Sequence, residues 1–153
     1  MATLAFNEGY KLVNSGGIRL TVDTIKIMLV NSSVTPTGDE PTLNTFSSAE
    51  ISVTNYTSGF GGTGRKTLAS GNMSFTRDDA NNYTYFDYTL DLTWSALGSG
   101  ATIRAGILYK HTGTTDTDCI PIAYLQLASD VVTNGGDFTF QFHSSGIWRT
   151  SQV

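Results

Sequence analysis

The chain has 153 residues, and nine Lys and Arg against thirteen Asp and Glu leave a net charge of −4. A chain of this length buries roughly 70% of its unfolded surface, so it needs no disulfide, metal or cofactor to fold, and the single Cys119 could form no internal bridge. Charged residues make up 14% of the chain, against about 25% in an average domain, which leaves the surface to Ser, Thr and Asn. The acidic balance and scattered Lys and Arg exclude the positive footprint of a general nucleic-acid binder. The longest apolar run, Ile27 to Val30, is far short of the ~20 residues that span a bilayer, so no membrane partner is expected. Met1 to Phe6 lacks the basic and long apolar regions of a signal peptide, which points to synthesis in a cytoplasm.

In chain order, Asn7 is placed to cap a short helix through Leu12 and Val13 that stops at Gly16 and Gly17, with Gly9 inside it costing about 1 kcal/mol relative to Ala. Residues 1–17 therefore read as a short N-terminal helix or arm. Thr24 to Val30 alternates and then runs apolar, the pattern of a strand entering a core at its far end. Pro36, Gly38 and Pro41 end it, and a further helical turn is expected from Ser47 or Ser48 with Glu50 in its first turn. Gly59 to Gly64 reads as one wide turn or bulge. From Asn82 to Trp94 one strand is predicted, with Phe86, Tyr88, Leu90, Leu92 and Trp94 on one side and Asp87, Thr89, Asp91 and Thr93 on the other. Shorter strands are predicted at 66–69, 73–76, 103–109, 120–127 and 138–142. Turn clusters at about 8 to 12 residue spacing separate them, the rhythm of an all-β antiparallel sandwich or barrel in a single domain over residues 1–153.

Few residues point to chemistry. Gly59 and Gly64 have the separation of a phosphate loop, but Arg65 stands where the loop needs Lys, and Lys66 to Ser70 reads as strand where a helix must follow. His111 and His143 have no second ligand at chelating spacing, and Asp116 with Asp118 lacks the remaining oxygens of a calcium loop, so no metal is expected. Cys119, at the start of a strand before Ile120 and Pro121, reads as a small buried hydrophobe, and no G-x-S-x-G elbow is present. Nothing points to an enzyme or a cofactor. The sequons at Asn31, Asn55, Asn72 and Asn82 are what a chain rich in Asn, Ser and Thr makes by chance.

Aromatic residues remain. Phe86, Tyr88 and Trp94 alternate with polar residues and read as core. Tyr56, Phe60, Tyr83, Tyr85, Trp94 and Trp148 could supply a sugar-stacking platform or a protein interface, with core the better reading for Trp94. Tyr83 and Tyr85 share the parity of Asp87 and Asp91, the outer face, and are candidates for a subunit contact. Leu4, Phe6, Leu12 and Val13 give the N-terminal segment an apolar character suited to a shell contact.

The ordered set Asp23 to Val30, Gly64 to Leu68, Thr93 to Ala96, Ile103 to Lys110, Pro121 to Tyr124 and Asn134 to Phe140, followed by Gly146 and Ile147, resembles a family of small tailed-bacteriophage virion proteins. The resemblance runs from Ala5 to Arg149, and members are capsid decoration (cement) or related structural proteins. It implies an antiparallel β-sandwich, often jelly-roll-like, that binds the outside of the head as a homo-oligomer, commonly a trimer, with the major capsid protein as partner. It implies location on the virion surface after synthesis in the host cytoplasm, and it brings no catalytic residues. The chain departs from the family pattern in an insertion-like loop from Asn31 to Glu50 and in the doubled glycine turn. A tail or baseplate subunit and a carbohydrate-binding host-adhesion module are the alternatives, because small β-sandwiches are reused across functions.

Overall fold

The computed structural model describes residues 2–144 and 146–151. Its elements are β1 (Ala2–Ala5), α1 (Asn7–Asn14), β2 (Ile25–Val30), β3 (Lys66–Thr67), β4 (Met73–Asp78), β5 (Tyr83–Tyr88), β6 (Leu92–Trp94), β7 (Thr102–Lys110), β8 (Ile120–Val132), β9 (Phe138–Phe140) and β10 (Trp148–Ser151). Two 3-10 helices lie at Leu43–Ala49 and Ser70–Asn72. Every strand pairing is antiparallel. The sheet orders are β1-β8-β7-β2-β3, β10-β5-β4 and β6-β9. The all-β, antiparallel expectation therefore holds.

The five-stranded sheet has apolar residues on both faces, which β2 makes visible. Its Ile25, Ile27 and Leu29 join a cluster with Phe86 and Tyr88 of β5, Trp94 of β6 and Phe140 of β9. Its alternate residues Met28 and Val30 join a second cluster with Leu43, Phe46 and Ala49 of the long 3-10 helix. Burial on both faces is what removes alternation from a strand sequence. The expectation that this strand enters the core only at its far end is thus corrected, since Ile25 and Ile27 are fully buried too. The segment after β2 is the lid of the second cluster. Its helix runs over Leu43–Ala49, ending where the sequence suggested a start, and Glu50 lies beyond its last residue.

The stretch from Asn82 to Trp94 is two strands, not one. β5 pairs with β4 and β10, whereas β6 pairs with β9, so the chain changes sheets between them. Thr89 N–H donates to Asn72 O (3.0 Å) at this corner, and Leu90, expected inside, is 49% exposed. β8 extends five residues past the predicted end at Leu127 and carries a bulge. Ile103 pairs with Val131 and Ala105 with Gln126, so Leu127 to Asp130 face Arg104 alone. An Arg104–Asp130 ion pair of 2.7 Å stitches the bulge to β7.

The N-terminal helix forms as predicted but enters differently. Phe6, not Asn7, occupies the cap position, and no side chain caps it. Asn7 N–H instead donates to Gly38 O (2.8 Å), and its side-chain amide to Asp39. Gly9 faces β8 so closely that any Cβ would overlap the Pro121 carbonyl oxygen. The helix ends as Gly16 takes φ +79°, a left-handed conformation glycine adopts without a Cβ clash.

Candidate functional site

Strands β1 and β10 end their respective sheets, and they line one cleft. Thr3 and Ala5 of β1 stand on one side, with Ile147, Trp148 and Arg149 on the other, around a volume of about 520 Å³. Phe6 N–H donates to Ile122 O (3.1 Å), continuing the β1–β8 ladder in which Leu4 lies opposite Tyr124. In an antiparallel ladder alternate residues bond the neighbour, so the N–H and C=O groups of Leu4 and Phe6 face β8 while those of Thr3 and Ala5 point away from it, the Ala5 carbonyl toward the loop at Gly38. Across it, the Trp148 ring leans on Phe86, with centroids 4.9 Å apart and planes tilted by 37°, tying that wall to the core.

Arg149 joins this cleft to the aromatic face of β5. Its guanidinium lies 5.2 Å over the Tyr83 ring, and Tyr83 and Tyr85 are 5.9 Å apart. Both tyrosines are half-buried and alternate with buried Phe86 and Tyr88, so the outer-face placement read from their parity agrees with the structure. Thr76 of β4 sits opposite Tyr85 and Asp78 opposite Tyr83, giving the rings a polar surround that includes the Asp78 carboxylate and the Arg149 guanidinium.

The other expected contact residues divide. Leu4 is half-buried against the second cluster. Leu12 and Val13 are half-buried and pack on the first cluster, so the helix turns its apolar side inward. Phe6 is fully buried and meets Phe46 at 5.4 Å between ring centroids. It is corrected from a contact residue to a core residue, because burying its ring is worth about 1.5–3 kcal/mol to the fold itself. Tyr56 is corrected likewise: it is fully buried, and its hydroxyl receives Leu29 N–H at 2.9 Å and donates to Glu50 at 3.1 Å. Burial pushes this phenol well above its usual range, and the neighbouring Glu50 carboxylate pushes it further.

Sequence reasoning missed a buried ionic cluster. Arg65 reaches Glu50 through Nε (2.8 Å) and a terminal nitrogen (2.7 Å), and Asp116 through both terminal nitrogens (2.5 and 2.8 Å). Burial opposes the Arg65 charge, but the bonds from Asp116 and Glu50 outweigh it and hold the guanidinium more firmly protonated. With both carboxylates committed, the guanidinium is not presented to a phosphate, and the glycine loop reads as structure. Trp94 Nε1–H fastens that loop by donating to Gly64 O (2.6 Å). The available signal was the rarity of charge itself: Glu50 sits between Ala49 and Ile51, both buried.

The cation reading of the 116–118 turn loses both its carboxylates to protein partners. Asp116 holds Arg65, and Asp118 receives the N–H groups of Thr114 and Thr115 at 2.8 and 2.9 Å. Cys119 is fully buried, as expected, and its thiol lies 3.9 Å from His111 Nδ1 and 3.5 Å from Thr112 O. Burial raises the thiol pKa, so this pair is not arranged to supply a thiolate. His111 stacks under Phe60 at 4.6 Å, which removes Phe60 from the list of open platforms.

No protein-family model, curated protein or solved structure matches the chain.

Proposed function

We propose that the protein is a bacteriophage capsid decoration (cement) protein, a β-sandwich that binds the outer surface of the assembled head as a homo-oligomer and stabilises it. The observation that carries this reading is the edge strand β1. Ala2, Thr3, Leu4 and Ala5 include no Lys, Pro or bulge, so apart from its shortness and the Gly38 loop against its far end nothing in β1 keeps the edge from pairing. An edge whose first residues stay free beside a cleft suits permanent association. The neutral surface, with 14% charged residues, supports the same reading, because charges buried at an interface must each be paired. The two apolar clusters on either face of the five-stranded sheet support the sandwich assignment. Binding only the assembled shell stabilises it by mass action, and many copies acting together add avidity.

The test is sedimentation of the protein alone and with undecorated phage heads. The expected result is a stable trimer that co-sediments with heads to a saturable ratio, with the major capsid protein as its contact. A monomer that ignores heads overturns it, and binding to purified tails instead assigns a tail or baseplate subunit. A second reading, a carbohydrate-binding host-adhesion module, is favoured by the Tyr83–Tyr85 face with its polar surround. Glycan-array binding that Tyr83→Ala abolishes selects that reading.

A further inference from the structure

The geometry points to the β1–β10 cleft as the acceptor for a short, extended, acidic segment of a partner protein, which adds as a strand beside β1. This rests on, and deepens, the reading of the protein as a binding subunit. The main-chain groups are already aimed: Thr3 turns its N–H and C=O, and Ala5 its N–H, away from β8, the start of the repeat a strand needs on its neighbour, while the loop at Gly38 stands against the Ala5 carbonyl and takes the next outward N–H, that of Asn7. Size agrees. A residue in a sheet occupies about 160 Å³, from a 3.3 Å rise, 4.8 Å strand spacing and 10 Å sheet thickness, so a cleft of about 520 Å³ takes about three residues.

Charge and polarity describe the occupant. β1 carries no charge, so nothing on that wall selects among partner side chains. On the opposite wall Arg149 is exposed, and its guanidinium, seated with its face over the Tyr83 ring, keeps its N–H edge for a carboxylate, while the half-buried Trp148, whose ring leans on Phe86, offers an apolar contact. A segment that alternates acidic and β-branched residues satisfies both walls, whereas a basic one meets Arg149 with like charge. On a chain of net charge −4, this local preference for an acidic partner is not a consequence of the overall field.

The experiment uses the whole protein and the acetylated peptide Thr-Glu-Val-Glu-Thr, with Thr-Lys-Val-Lys-Thr as the charge control, read by the emission of Trp148. Trp94 is buried and bonded to Gly64 O, and supplies a constant background. Saturable binding of the acidic peptide is expected, with binding of the basic one weaker by roughly tenfold or more, the loss of a charged hydrogen bond. Thr3→Pro removes one outward N–H at a position where an edge strand tolerates proline, so it should keep the melting temperature and lose binding. Arg149→Gln should keep the fold and equalise the two peptides. Equal binding by Thr3→Pro and the parent chain, or no binding of the acidic peptide, overturns the inference. Heads separate the two levels. If Thr3→Pro still co-sediments with heads as the parent does, the cleft assignment fails and the cement reading stands. If the peptide binds with the expected preference and heads do not bind, the cleft assignment stands and the cement reading fails.

Discussion

An alanine at Gly9 would set its Cβ against the Pro121 carbonyl oxygen and 2.8 Å from Ile122 Cα, both backbone atoms that cannot swing aside. Helix propensity alone favours Gly9→Ala by about 1 kcal/mol. Overpacking against a β8 backbone costs about 1–3 kcal/mol, so urea denaturation should find the variant less stable despite its better helix former. Gly71 has open space around it, and Gly71→Ala should be neutral in the same measurement. Arg65 makes the complementary point about charge. Arg65→Met leaves the Glu50 and Asp116 carboxylates without their partner and should cost about 3–5 kcal/mol. Replacing all three, as Glu50→Gln, Arg65→Met and Asp116→Asn together, should cost less than that single change. A triple variant no more stable than Arg65→Met would mean that the cluster acts through geometry and not through its charge balance. Position 65 was conspicuous in the sequence for a different reason, as the wrong residue in a phosphate loop. Its partners lie 15 and 51 residues away, and local spacing carries no trace of them.

At the scale of elements, the segment between β2 and the glycine turn closes the second apolar cluster, and Phe46→Ala should destabilise by about 3–5 kcal/mol while leaving the first cluster intact. The same segment has an acid-sensitive fastening. Glu40 is buried, which opposes its charge, but N–H groups of Thr37 (2.8 Å) and Gly38 (3.0 Å) and the Thr37 hydroxyl outweigh burial and hold its pKa below the usual value. A depressed folded-state pKa contributes stability that is complete above the unfolded value, about 4.3, and is lost as pH falls through the folded one. Stability should therefore fall below about pH 4.3 with a component that Glu40→Gln removes, seen in thermal melts of the two proteins from pH 6 to pH 3. Strand existence was legible wherever side chains alternate, as at Tyr83 to Tyr88. It was not legible where the chain changes sheets: nothing in Thr89, Leu90 and Asp91 breaks period two, and the break comes from β6 pairing with β9 instead of β4. β1 and β10 were missed because Ala2–Ala5 runs straight into the helix with no turn cluster between them and Trp148–Ser151 holds a single apolar residue.

For the molecule as a whole, the N-terminal segment is not a detachable arm. Phe6 completes the second cluster, Leu12 and Val13 lean on the first, and β1 borders β8. Deleting residues 2–13 should consequently lower the melting temperature or abolish folding, where a free arm would be removed without effect. The candidate site was legible in part. Tyr83 and Tyr85 could be placed on an outer face by parity, whereas the cleft joins residues at opposite ends of the chain, Thr3 and Arg149, and only the sheet order brings them together.

That pairing of β1 with β8 also sets a timetable for synthesis. Leu4 meets Tyr124, so β1 must wait for about 120 further residues, roughly 6 to 24 s at ribosomal speeds of 5–20 residues per second. During that interval β1 has no strand to pair with, and its edges are free to meet chaperones or other nascent chains. The five-stranded sheet is thus completed only after β8 has left the ribosome, when β1 takes its place beside it.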